Sequence, residues 1–151
     1  MKLYEINYKP HLKRRILATL IDYSIYGILF FIYVYCIGQE TSSNSWEVTG
    51  LPALPVFLFW LVYFPGLEAI NQATPGHDIL KLRVIKSTGE RITFTDAFKR
   101  RICDMFEIGM WGLPAMICIS KTDKNQRIGD LFAGTVVVKK EDVIETEFSI
   151  R

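Results

Sequence analysis

Lys13-Arg14-Arg15-Ile16-Leu17-Ala18-Thr19-Leu20-Ile21-Asp22 opens an apolar run that continues to Gly38. Residues 16–38 read as a first span, long enough to cross a hydrocarbon core of about 30 Å at about 1.5 Å per residue. Asp22 is the only charge within it. Arg15, Ala18, Thr19, Asp22 and Tyr26 recur at helical spacing, so one face carries all five. A carboxylate at that depth costs about 3 kcal/mol unless it meets a partner or water. Arg15 lies about 10 Å away along the same helix, too far for a direct bond. The expected partner of Asp22 is therefore an arginine met across a helix interface or through water, with Arg15 first and Arg127 second.

Charge distribution orients the chain. All 18 Lys and Arg residues avoid the apolar segments and the 39–50 loop. Five precede Ile16, seven lie between Asn71 and Arg101, and six follow Ser120. By the positive-inside rule the N-terminus is cytoplasmic and the polar 39–50 loop, with Trp46 at the interface, lies outside. The first 15 residues read as a basic lead-in, with His11 exposed and inert. Cys36, Cys103 and Cys118 sit in or beside apolar stretches and read as small core residues. The first run is too long for a signal-peptide core and no small-residue cleavage site follows it, so it is expected to be retained.

Residues 51–70 form a second span. Pro52 and Pro55 sit near its start, where missing N–H groups are tolerated, and Pro65-Gly66 predicts a kink just before Glu68. Residues 71–101 read as a cytoplasmic segment. In it Thr74-Pro75 caps a short helix to Lys81, Leu82–Lys86 is a strand, Ser87–Glu90 a turn and Arg91–Phe94 a second strand. A lone hairpin is marginal in water, and Thr135–Lys139 is the obvious third strand. Thr95-Asp96 is expected to cap an amphipathic, interfacial helix running to about Met110. Residues 102–119 either re-enter the membrane, bent at Gly112-Leu113-Pro114, or form a third straight span. Residues 120–151 are a cytoplasmic tail, loosely ordered from Lys140 onward. The fold class is thus an all-α membrane protein of one domain: two transmembrane helices, a re-entrant or third transmembrane helix, and a small cytoplasmic β element.

Arg15-x-x-Ala18-x-x-x-Asp22, Thr74-Pro75-Gly76 followed by Leu82-Arg83-Val84, and Arg127-Ile-Gly-Asp130-Leu-Phe-Ala-Gly134-Thr-Val-Val occur in order. Together they resemble the motifs of the RDD family of small bacterial membrane proteins, named for an arginine and two aspartates. The resemblance implies that Arg15, Asp22 and Asp130 carry the family's character. His77 stands where the family has lysine, and Gly129 where it has histidine. Transport of an unknown ligand has been suggested for the family, and cation/proton exchange for some members.

No phosphate loop, nucleophile elbow, HExxH or Cys/His metal cluster occurs, which argues against an enzyme and for no cofactor. The basic residues are explained by topology, which argues against nucleic acid. The carboxylates are the signal. Asp22, Glu68 and Asp130, with Arg15 and Arg127, form a candidate polar site, and Asp104 and Glu107 are secondary candidates. Facing a polar cavity, such groups suit proton or monovalent-cation handling, since oxygen ligands fit hard cations; whether they hold a metal is open. The leading expectation is a transporter-like, multi-pass plasma-membrane protein. The alternative is a non-transporting accessory or regulatory subunit, with Arg15, Asp22 and Asp130 as a structural cluster. Two spans and a hairpin enclose no pathway alone, so a homo-oligomer or another membrane protein is expected beside the lipid bilayer.

Overall fold

The computed structural model describes residues 2–6, 8–41, 45–110 and 112–147. The expectations for Trp111 and for residues 148–151 of the tail lie outside the described residues. The chain is mostly helical with short antiparallel ladders. β1 (Lys2–Ile6) leads into α1 (Leu12–Ile37), and β2 (Gln39–Thr41) and β3 (Ser45–Glu47) form a small hairpin in the 39–50 loop. The second span follows as one 21-residue helical stretch, Leu51–Asn71. It comprises a short 3₁₀ turn, α2 (Leu54–Leu61), a π turn at Val62–Gly66 and α3 (Leu67–Asn71). Then come α4 (Pro75–Ile79), β4 (Leu82–Lys86), α5 (Phe94–Gly109), α6 (Leu113–Lys121), α7 (Ile128–Ala133), β5 (Thr135–Lys139) and β6 (Val143–Glu147).

α1 and Leu51–Asn71 are long and apolar enough to cross a membrane. Their apolar side chains mostly face outward: Phe31 is 71% exposed and Val62 is 62% exposed. The core helix of a soluble protein would bury that surface. The buried residues of α1 are Arg15, Ala18 and Asp22, three of the five expected on one face, so α1 is part of the fold's core. Pro65 lacks an N–H, and the helix absorbs the loss as a π turn in which Leu67 N–H reaches back to the Val62 carbonyl. The kink expected from sequence is thus a π bulge, and it turns Glu68 fully inward.

β4 pairs antiparallel with β5, Val84 opposite Val137. One face packs Leu82, Val84 and Val137 against Ala18 of α1 and Ala97 of α5. The other buries Ile85, Val136 and Val138 under Tyr8 and Val143. Both faces are covered, which is why a ladder of two strands persists.

Several sequence expectations are corrected. Arg91–Phe94 is not a strand; Arg91 alone bridges Ile85, and the chain then enters α5. The cap is Thr93, not Thr95: Asp96 accepts from Thr93 N–H at 2.9 Å, and Asp96 N–H donates to Thr93 Oγ1 at 3.4 Å. Residues 102–119 are no straight span, because α5 ends at Gly109 and α6 starts after Gly112, whose φ of +73° is incompatible with a continuous helix. The ends of the chain are not a loose lead-in and tail, since β1 pairs along its length with β6. Nor is His11 free: its Nε2 lies 2.6 Å from Asp142 Oδ2, and Lys9 pairs with the same carboxylate at 3.1 Å.

Candidate functional site

Asp22 does not meet an arginine. Its carboxylate accepts from Thr74 Oγ1 at 2.5 Å, from Gly76 N–H at 2.7 Å, and lies 3.2 Å from His77 Nδ1. Thr74-Pro75-Gly76-His77 is therefore a socket for Asp22, built by the start of α4 where it lies on α1. Thr74 precedes the helix but makes no side-chain cap; its hydroxyl hydrogen goes to Asp22 instead. With that hydrogen committed, the 2.8 Å contact between Thr74 Oγ1 and His77 Nδ1 needs the imidazole as donor. Nδ1 thus carries the proton. Burial pushes the His77 imidazole below its ordinary pKa, more than the bond to Asp22 raises it, so the ring is held neutral. Gly76 permits the approach: a Cβ there would run into the Ala18 carbonyl and come within 3.0 Å of Asp22 Oδ1. The socket is thus filled by two short donors, Thr74 and Gly76, with His77 at longer range, and no arginine reaches Asp22 among the described residues.

The arginines serve other carboxylates. Glu68 receives Arg100 on one oxygen and Arg101 on the other. Asp130 accepts from Arg15 Nη2 at 2.5 Å and from Arg100 Nε at 2.9 Å. Asp104 takes Arg101 at 2.8 Å and Arg127 at 2.6 Å, and Arg127 reaches Glu107 and Asp130 at 3.5 Å. Arg15 spends its other nitrogen on the Asn125 carbonyl at 2.6 Å. Four guanidinium groups (15, 100, 101, 127) thus face four carboxylates (68, 104, 107, 130), for a formal sum of zero. Burial alone would raise the Asp130 carboxyl, but Arg100, Arg15 and Arg127 outweigh it and hold it well below the usual range. Arg101 also stacks over the Phe64 ring, its Cζ 5.0 Å from the centroid.

The network joins α1, α3, α5 and α7. α5 is amphipathic as expected, yet its charged face with Arg100, Asp104 and Glu107 is buried while Ile102 and Phe106 point outward. Gly129 fits the same junction. A Cβ there would lie 2.8 Å from the Arg100 carbonyl, so any side chain at 129 would force α7 off α5. Sequence reasoning placed Arg15, Glu68, Asp104, Glu107, Arg127 and Asp130 in the site, and all six meet here. It left out Arg100 and Arg101, counted with the basic cytoplasmic segment, and it quoted Thr74, Gly76 and His77 as a family motif without placing them at Asp22. Beside the network lies a cavity of about 610 Å³, lined in its polar part by Thr19, Tyr23 and His77 as well as by Arg15, Arg100, Asp104, Glu107 and Arg127.

A model of the RDD family matches residues 9–134. The chain belongs to the RDD family. The matched region takes in the Asp22 socket and the whole charge network, including the arginine and the two aspartates that resemblance singled out. Comparison with curated proteins and with solved structures finds no match. Membership and the two outward-facing apolar helices point to a membrane protein. Within this RDD chain the three signature residues fall into two units: Arg15 and Asp130 pair with each other, and Asp22 is held separately by Thr74, Gly76 and His77.

Proposed function

We propose that this RDD protein is a multi-pass plasma-membrane protein without enzymatic activity that serves as an accessory or regulatory subunit, its buried charges acting as a structural lock. The observation that carries the reading is the closure of the network. Each of its carboxylates has an arginine partner, the formal charges cancel, and Asp22 is saturated by three neighbouring donors. A carboxylate so paired is a poor proton carrier, because removing either member strands the other at a cost of about 3–5 kcal/mol. In this reading the N-terminus and the β4–β5 face are cytoplasmic, supported by the Lys and Arg distribution. The helices Leu12–Ile37 and Leu51–Asn71 contact lipid, and their outer faces dock another membrane protein or a second copy.

A second reading, monovalent cation/proton exchange, draws on the cavity, which brings Asp104 and Glu107 to its lining. Reconstitution separates the two. Purified protein in sealed vesicles with an imposed pH gradient is expected to leave the gradient intact with Na⁺ or K⁺ outside, and affinity purification in mild detergent is expected to recover a stoichiometric membrane partner or a defined oligomer. Cation-dependent collapse of the gradient by wild type would overturn the accessory reading. Extraction of the protein from membranes by alkaline carbonate would overturn the membrane placement itself.

A further inference from the structure

The apolar walls of the cavity come from Leu12, Ile16 and Leu20 of α1 and Ala115, Met116 and Ile119 of α6. Its lining is mainly apolar, and α6 joins the fold through α5 and α7 while standing off α1. Water has few partners on such walls, and a gap of this size in a hydrocarbon setting takes apolar matter. The helices that form it also end in cations. Lys13 adjoins Leu12, and Lys121 lies two residues after Ile119. Both are exposed, and among the described residues neither has an ion-pair partner. They contrast with the arginines behind the cavity, which are consumed by the network.

We propose that this cavity is a binding site for one anionic glycerophospholipid. One acyl chain lies between α1 and α6, and the headgroup phosphate lies at the helix ends that carry Lys13 and Lys121, whose long side chains reach it from beside the cavity. The apolar walls supply chain burial, and the two unpaired ammonium groups supply headgroup preference, as juxtamembrane lysines do on anionic leaflets. The neutral network behind the chain forms a fixed wall and takes no part in recognising charge. The proposal rests on the membrane placement above, which carbonate extraction tests independently.

The test reconstitutes the purified protein in phosphatidylcholine vesicles holding a trace of lipid with a photoactivatable acyl chain, as phosphatidylglycerol or phosphatidylcholine, and maps adducts by mass spectrometry. Adducts are expected on residues 12–20 and 112–119, with phosphatidylglycerol favoured by about tenfold. Lys13→Gln with Lys121→Gln is expected to abolish the headgroup preference at unchanged melting temperature. Ala115→Phe, or Met116→Phe should the first variant fail to fold, is expected to cut labelling in the cavity several-fold while leaving other adducts alone. Equal labelling by both lipids, adducts spread evenly over the outer faces of both spans, cavity variants that label like wild type, or a second copy cross-linked into the cavity would each overturn the proposal.

Discussion

Asp22 illustrates how a buried carboxylate is satisfied without a cation. Thr74 O–H, Gly76 N–H and His77 Nδ1–H converge on it, so only an acceptor fits. Asp22→Asn would turn an amide N–H₂ toward groups that are themselves donors. It is expected to lower unfolding stability in detergent by about 1–3 kcal/mol, read by thermal unfolding; a wild-type melting temperature would contradict the socket. His77 gives the same unit a pH signature. Its folded pKa lies below the ordinary value of about 6.5, so between those two values the unfolded chain binds the proton and the fold does not. Stability therefore rises with pH up to about 6.5 and is flat, as far as this group is concerned, above it. The melting temperature of wild type measured from pH 5 to 8 should fall toward acid, and His77→Gln should flatten that slope; an unchanged slope in the variant would assign it to another group. Asp22 itself was legible in the sequence, because a lone charge in an apolar run with small residues at helical spacing marks a buried face. Its partner was not. Thr74, Gly76 and His77 stood out only as a family motif, and nothing in the sequence ties them to Asp22 until the chain returns across the second span and sets α4 on α1.

Among the elements, α5 carries most of the chemistry, and its reading shows where charge statistics mislead. Lys99-Arg100-Arg101 counts toward a basic cytoplasmic flank, yet Arg100 and Arg101 are buried and only Lys99 is exposed. By composition a flank arginine and a network arginine look alike; the difference is set by Glu68, whose inward turn depends on the π bulge at Pro65. The bulge position was legible from Pro65-Gly66, and the pairing it produces was not. Glu68→Gln removes the shared counterion of Arg100 and Arg101. It is expected to cost about 3–5 kcal/mol, whereas Glu40→Gln on the exposed β2 strand should stay within about 0.5 kcal/mol. Guanidinium or thermal unfolding of the two variants side by side checks this, and equal losses would mean that the α3–α5 junction is not held by charge. The ladder of β4 with β5 was legible from two short β-branched runs, Leu82–Lys86 and Thr135–Lys139, and from the need of a lone hairpin for a further strand. The pairing of β1 with β6 was not legible, because neither Lys2–Ile6 nor Val143–Glu147 alternates cleanly, and the first was read as a basic lead-in and the second as a loosely ordered tail.

At the scale of the whole molecule, the fold inverts the arrangement of a soluble protein: charges from α1, α3, α5 and α7 meet in the interior while leucine, isoleucine and phenylalanine cover the outside. Such a network need not add net stability over an apolar core, but it fixes one register among four elements, and a broken pair is costly. That asymmetry distinguishes a lock from a conduction path. In a lock, Arg15 and Asp130 depend on each other; in a path, Asp130 can be neutralised with the fold intact and only flux lost. Removing both together leaves Arg100, Arg101 and Arg127 facing Glu68, Asp104 and Glu107, so the remaining charges still balance. The deciding measurement is a double-mutant cycle of Arg15→Met and Asp130→Asn, read by unfolding stability of the purified protein. The lock predicts single losses of about 3–5 kcal/mol each and a double variant well short of their sum, with a coupling of about 1–3 kcal/mol. Single variants as stable as wild type, or losses that simply add, would contradict it.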